Sequence, residues 1–267
     1  MQELNILKQM KDLSNIKRRK SMFDLSLAVP EVKSNVEKLY PENKVVGVFL
    51  VGSVAMHMFN STSDIDAIAV VLPSLHNLFE NTLLSDHHKD QDLTVVDVRK
   101  FFQMMQKQNP AVLNAMNTHY YWIEDGYDFL VDDFWRGYDV FRCCMATLAM
   151  TRNDLKKFAQ TENVEKQCKL LARVWFNLDQ VQYMLDKNEY PAPPMLAHYG
   201  DYLKLKNGLH EYAKNTEQVY NEFCAMTEQL QNVVLAKKQE LACASAVEKD
   251  YFTFLLKEQF FKMFQNN

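Results

Sequence analysis

The residues of this chain best suited to chemistry are a Gly-Ser pair and a set of aspartates. Gly52-Ser53 closes an apolar run over residues 45–51. After ten intervening residues, Asp64-Ile65-Asp66 opens a second apolar run that continues to Leu72 and stops at Pro73. On a strand, residues i and i+2 project to the same face, so Asp64 and Asp66 are expected side by side at the head of an otherwise apolar strand. Two carboxylates a few ångströms apart repel, and a hydrophobic strand solvates them poorly. A divalent cation relieves both penalties, and Mg²⁺ takes carboxylate oxygens together with substrate phosphates in octahedral geometry. Gly52 lets backbone approach a phosphate closely. Ser53, expected in the first turn of a short helix, offers a hydroxyl and N–H groups at a positive helix end. The order and spacing therefore predict a triphosphate cradle facing a metal-binding edge. Each part alone has a plainer meaning: Gly-Ser after a strand makes a turn, and paired aspartates cap helices or solvate strand ends.

These side chains need a sheet to hold them. Residues 45–51 and 64–72 are β-branched, nearly continuous apolar runs that read as buried strands, and Leu93-Thr94-Val95-Val96 makes a shorter third. Helical turns are expected over residues 53–59, and strands separated by helical pieces point to an α/β layer. From about Asp132 onward no strand pattern appears. Leu170, Leu171, Val174, Leu178, Val181, Met184 and Leu185 follow the i, i+3, i+4, i+7 rhythm of an amphipathic helix over residues 164–185. Tyr190-Pro191-Ala192-Pro193-Pro194 breaks it, and residues 209–235 and 246–264 read as helical again. The division expected is an α/β domain over 1–130 and an all-α domain over 131–267.

Composition narrows the classes. The 267 residues are 48% hydrophobic and 24% charged, ordinary for a folded globular chain, and the net charge of −4 provides no polycation for nucleic acid. With 6 glycines there is little material for a glycine-rich phosphate loop. Glu3, Lys8, Lys11 and Asp12 argue against a secretory signal, and the longest apolar runs fall short of the roughly 18 residues a membrane span needs. Cys143, Cys144, Cys168, Cys224 and Cys243 form no CxxC pair and are odd in number, which reads as free thiols in a cytosolic protein.

Other candidates are weaker. Lys166, Lys169 and Arg173 share one side of a helix, where they can meet a triphosphate or an RNA backbone, or simply face solvent. Lys17-Arg18-Arg19-Lys20 is the densest basic run and reads as a solvated segment. His87-His88, beside Asp86 and Asp90, reads as an exposed loop. His119-Tyr120-Tyr121-Trp122 is expected to pack the junction of the two halves, and His57 to lie on a helix surface. Neither GxSxG nor HExxH is present.

Gly-Ser, a short helix, then Asp-x-Asp opening an apolar strand resembles the nucleotidyltransferases of the DNA polymerase β superfamily, most closely their larger bacterial and phage subgroup. Asp92 to Phe101 followed by Asn109-Pro110 is similar to that subgroup's second block. Lys166 with Arg173, Glu189-Tyr190-Pro191 and Lys206-Asn207-Gly208 are similar to its later blocks, so the resemblance runs from about Val45 to Gly208. It implies the nucleotidyltransferase fold, a small mixed sheet flanked by helices with an all-α carboxy-terminal domain. The implied activity is metal-dependent transfer of NMP from an NTP to a hydroxyl on RNA, protein or a small molecule, with release of pyrophosphate, in the cytoplasm of a bacterium or phage-infected host. Two Mg²⁺ or Mn²⁺ ions would be held by Asp64, Asp66 and a third carboxylate that also helps deprotonate the acceptor. Asp92, which opens the third strand, is the favoured third; Asp97 competes but reads equally well as a helix cap. Gly52, Ser53, Ser63, Lys166 and Arg173 are the nucleotide-binding residues implied. Where the subgroup has a basic residue and an aromatic-glycine pair after Gly-Ser, this chain has Val54 and Met56-His57; Ala67-Ile68 replace Arg-Gly, and Leu170 a histidine. A second reading follows: a non-catalytic descendant that binds a nucleotide or partner protein on the same fold.

Overall fold

The computed structural model describes residues 25–60, 63–132, 134–244 and 257–258. The basic run at 17–20 and nearly all of the helix expected over 246–264 lie outside the described residues. The elements in chain order are α1 (Leu25–Leu39), β1 (Val45–Leu50), α2 (Gly52–Ala55), β2 (Ala67–Val71), α3 (Leu75–Phe79), β3 (Ser85–His88), β4 (Leu93–Asp97), α4 (Val98–Gln106), α5 (Pro110–Asn117), β5 (Tyr121–Ile123), α6 (Phe129–Asp132), α7 (Val140–Ala159), α8 (Val164–Lys187), α9 (Tyr199–Lys206), α10 (Thr216–Ala236) and α11 (Lys238–Ala244). The described residues fall into two compact units, those within 25–104 and 111–135 in the first and those within 105–110 and 136–244 in the second.

The first unit is built on a mixed sheet of order β3-β4-β2-β1-β5. β1 and β2 are apolar and buried at every position, as central strands covered on both faces must be. They pair antiparallel with Leu50 opposite Ala67, and β2 pairs in parallel with β4, Ala67 beside Leu93 and Ile68 beside Thr94. β3 joins β4 and β5 joins β1, both antiparallel. On one face Ala28, Val29 and Val36 of α1 pack with Val48, Leu50, Ala67, Ala69, Leu93 and Val95. The opposite face carries Phe49, whose ring stacks on Phe101 of α4 at 5.7 Å between centroids.

Several boundaries differ from expectation. β2 begins at Ala67 rather than Asp64, so the aspartates precede the strand instead of lying along it. Aspartate is depleted in strands, and β1 ends at Leu50, where the chain turns at Gly52. The ladder closes with Val51 N–H donating to the Asp66 carbonyl, 2.8 Å. His87 and His88 stand on the exposed edge strand β3, not in a loop. A polar edge strand lacks the apolar signature of a central one. Tyr121 and Trp122 belong to β5, with Tyr121 stacked on Phe49 at 6.1 Å.

The second unit is helical. α7 is capped by Asp139, whose Oδ1 accepts from Arg142 N–H at 2.9 Å, and α8 by Asn163, whose Oδ1 accepts from Lys166 N–H at 2.9 Å. α8 packs against α7, α9 and α10, burying the periodic residues from Leu170 to Leu185 as their spacing predicts. It ends at Asn188, φ 58°, in the left-handed conformation that terminates helices. The helix expected over 209–235 starts only at Thr216, behind a 3₁₀ turn over Glu211–Lys214 and the cap residue Asn215. Among the described residues, Cys143, Cys144, Cys168 and Cys224 are free thiols, and no helix is long and apolar enough to cross a membrane.

Candidate active site

Strand register brings the motif residues to one edge of the sheet. Leu50, Ala67 and Leu93 form a row across β1, β2 and β4. One step toward the edge the next row is Val51, Asp66 and Asp92. Val51 N–H donates to the Asp66 carbonyl, and Ala67 N–H donates to the Asp92 carbonyl at 3.0 Å. Neighbouring strands lie about 4.8 Å apart, so the backbones of Asp66 and Asp92 are adjacent at the same end of a parallel pair.

Gly52 fixes where the Asp66 carboxylate goes. Its φ is +59°, and a Cβ placed there would meet Asp66 Oδ2 at 1.9 Å and Cγ at 2.8 Å. The carboxylate thus lies directly on the bare Cα of the turn. Only glycine permits both the dihedral and the approach. The signature glycine therefore seats the signature aspartate, a coupling that spacing alone did not reveal.

Asp92 also has a left-handed backbone, φ +48°. It ends the short turn between β3 and β4, in which Gln91 N–H donates to the His88 carbonyl at 3.0 Å. Asp and Asn tolerate this conformation better than most residues. Asp97 is different in kind. At 0% exposure, its Oδ2 accepts from Arg99 at 2.7 Å and Leu84 N–H at 3.0 Å, and its Oδ1 from Lys100 N–H at 3.0 Å. It caps α4 and ties in the start of β3, at the far end of β4 from Asp92. Asp97→Ala would strand those donors and is expected to cost about 3 kcal/mol, by analogy with other broken buried pairs. A urea titration checks this, and a midpoint shift below that of an ordinary surface substitution would refute the structural role.

The remaining signature residues are disposed unevenly. Asp64 is exposed in the segment before β2, and Ser53 is half-buried in the four-residue helix α2, its carbonyl accepting from Met58 N–H at 2.8 Å. Ser63 is engaged within its own turn, donating to Asn60 Oδ1 at 2.9 Å and accepting from Asn60 N–H at 3.0 Å. Among the described residues no three His, Cys, Asp or Glu side chains cluster as ligands of a metal ion. The donors at this edge suit a cation completed by substrate: Mg²⁺ is commonly held by one or two carboxylates plus phosphate oxygens and water.

In the second unit, Lys166 is exposed in the first turn of α8. Arg173 is committed to a partner that sequence gave no reason to name: Nε and Nη2 each donate to Asp154 of α7 at 2.5 Å, a bidentate grip on a carboxylate only 2% exposed. The fork holds the guanidinium in one orientation. Removing it leaves a buried charge, so Arg173→Leu is expected to destabilise by about 2–3 kcal/mol, below the range for a fully buried pair because Arg173 is partly exposed. A loss of half a kcal/mol or less in urea would show that the pair is only a surface contact.

His57 has φ +54°, the left-handed conformation natural to the glycine that the resemblance expects near this point. Burial, and secondarily the neighbouring charge of His119, whose ring centroid is 5.7 Å away, lower its pKa.

A mixed five-stranded sheet with a Gly-Ser turn and Asp-x-Asp at one edge, followed by a helical part, is the architecture of a DNA polymerase β-like nucleotidyltransferase. Residues 8–218 match the RlaP family, described as the RNA repair pathway DNA polymerase beta family, and the chain belongs to that family. Among solved structures, a nucleotidyltransferase-like protein from Exiguobacterium sibiricum 255-15 aligns over 88% of this chain and 80% of its own, at 11% identity and a TM-score of 0.27. No curated protein matches the chain.

Proposed function

We propose that this protein transfers a nucleotidyl group from an NTP to a hydroxyl acceptor, releasing pyrophosphate, and that the acceptor is an RNA end. The observation carrying this reading is the Asp66 carboxylate seated on the Gly52 Cα in the same row as Asp92. The RNA acceptor rests on the family's description as an RNA repair pathway family.

In this reading Asp64, Asp66 and Asp92 would hold two Mg²⁺ ions. When bound, the ions would supply charge stabilisation for the attacking and leaving oxygens of an in-line displacement. Asp92 takes the proton of the acceptor hydroxyl. The Gly52-Ser53 turn binds the triphosphate through backbone N–H groups and the Ser53 hydroxyl, with Ser63 bracing the loop that leads to Asp64. In the second unit Lys166, exposed at the start of α8, is offered to an RNA backbone, whereas Arg173 is engaged with Asp154.

The test incubates purified protein with each α-labelled NTP, Mg²⁺ or Mn²⁺, and RNA bearing a free 3′ hydroxyl, alongside total protein. Label transfer that vanishes in Asp66→Ala supports the enzyme. The second reading, a nucleotide- or partner-binding protein on the same fold, draws on Val54, Met56 and His57 standing where cationic and glycine residues are expected after Gly-Ser. Nucleotide binding without transfer to any acceptor would favour it.

A further inference from the structure

We propose that the β3–β4 hairpin supplies the contact to the β- and γ-phosphates of a bound triphosphate that the Gly-Ser turn lacks, the Lys89 ammonium giving the charge and the His87 imidazole a hydrogen bond. This inference rests on the reading of an NTP as the ligand of the Asp66–Asp92 edge.

Val54, Ala55 and Met56 leave the segment after Ser53 without a charge. His57, next along, carries a pKa lowered by burial, which disfavours its charged form. A triphosphate at this edge therefore needs its counter-charge from elsewhere. On the β4 side of Asp66 the sheet edge continues into the turn from β3 to β4. His88 lies opposite Leu93 and His87 opposite Thr94, so the residues linking the two strands, Lys89 to Asp92, occupy the edge where Asp66 stands. Alternation separates the charges of β3. Asp86 and His88 share the α1 face, where the Tyr40 hydroxyl donates to Asp86 Oδ2 at 2.7 Å and contacts His88 Nε2 at 2.8 Å. His87 falls on the opposite face, with its Nδ1 3.1 Å from Thr94 Oγ1.

Thr94 and Asp97 are the polar residues of β4, and Thr94 is the one near the Asp92 end. It sits beside Ile68, so it is two residues along β4 from Asp92 and level with a point two residues along β2 from Asp66. Its hydroxyl fixes the imidazole through Nδ1 and leaves Nε2 directed away from that bond. His87 and Lys89 are exposed, and Lys89 has no ion-pair partner among the described residues. Asp90, in the same turn, is the acidic neighbour against which the Lys89 ammonium acts.

The probes are inorganic tripolyphosphate, the α,β-methylene analogues of the four NTPs, and the four NMPs, each titrated with Mg²⁺ into the full-length protein by calorimetry. Wild type is expected to bind tripolyphosphate and at least one triphosphate analogue. His87→Gln/Lys89→Met is expected to weaken both about tenfold at low salt, the scale of one lost charge-assisted contact, and to leave NMP affinity unchanged. The loss should shrink as salt is raised. Thr94→Val should reproduce the His87→Gln loss and add nothing to it, with melting temperatures of the surface variants unaltered. Equal triphosphate binding by wild type and double variant would overturn the hairpin's role while leaving the NTP reading standing. Absence of any triphosphate binding by wild type would overturn both.

Discussion

Gly52→Ala is expected to destabilise the protein by about 3 kcal/mol and to eliminate label transfer. Two penalties combine. An alanine at φ +59° costs roughly 1–2 kcal/mol because its Cβ crowds the backbone in the left-handed region. Overpacking adds about 1–3 kcal/mol, since the new methyl would coincide with Asp66 Oδ2, 1.9 Å from the ideal Cβ position. Relief requires either the turn or the carboxylate to move, and both belong to the proposed site. The decisive measurement is a double-mutant cycle in urea. In an Asp66→Ala background Oδ2 and Cγ are gone, while Asp66 Cβ, 3.0 Å away, remains. Gly52→Ala should then cost 1 kcal/mol or more less than in wild type. Strictly additive costs would mean that the carboxylate does not rest on this glycine.

Replacing the edge carboxylates should separate activity from stability. Asp66→Asn or Asp92→Asn is expected to lower transfer by about a thousandfold, each tenfold corresponding to about 1.4 kcal/mol of lost transition-state stabilisation. Neither should unfold the protein. Asparagine accepts the left-handed backbone of residue 92 and keeps the shape of either aspartate. Mg²⁺ should raise the melting temperature of wild type, by the equivalent of about 1.4 kcal/mol at ten times its Kd, and leave Asp66→Asn, Asp92→Asn and Asp64→Ala unmoved. Asp97→Ala should show the opposite profile, losing stability while retaining the Mg²⁺ response. A Mg²⁺ response that survives in Asp66→Asn would remove this edge from consideration as the cation site.

The comparison of Asp92 with Asp97 shows how far sequence reasoning reaches. Both flank the same apolar strand, and an apolar-acid-apolar pattern suits Asp97 well. Parallel register separates them: Asp92 is level with Asp66, whereas Asp97 is level with Val71 at the other end. Register depends on which strands pair and in which direction, and both follow from contacts distant in the chain. The same limit hid β3. Ser85-Asp86-His87-His88 carries no apolar alternation, and it becomes a strand because β4 offers it an open edge.

Arg173 makes the same point in the helical unit. Its spacing from Lys166 placed both on one side of a helix, while Asp154, which grips it, lies on the preceding helix and could not be paired with it by periodicity.

By itself the sequence determined the central strands, the helical second half, the long amphipathic helix α8 and the resemblance carried by Gly52-Ser53 and Asp64-Ile65-Asp66. Those features depend on local periodicity and on residue types at short spacing, which a chain displays without being folded. The tertiary structure alone decided that Asp66 lies on the Gly52 Cα, that Asp92 rather than Asp97 stands level with it, and that Arg173 is bound to Asp154. Each is a meeting of residues brought together by strand register or helix packing, and nothing along the chain encodes such a distance before the sheet and the helices have formed.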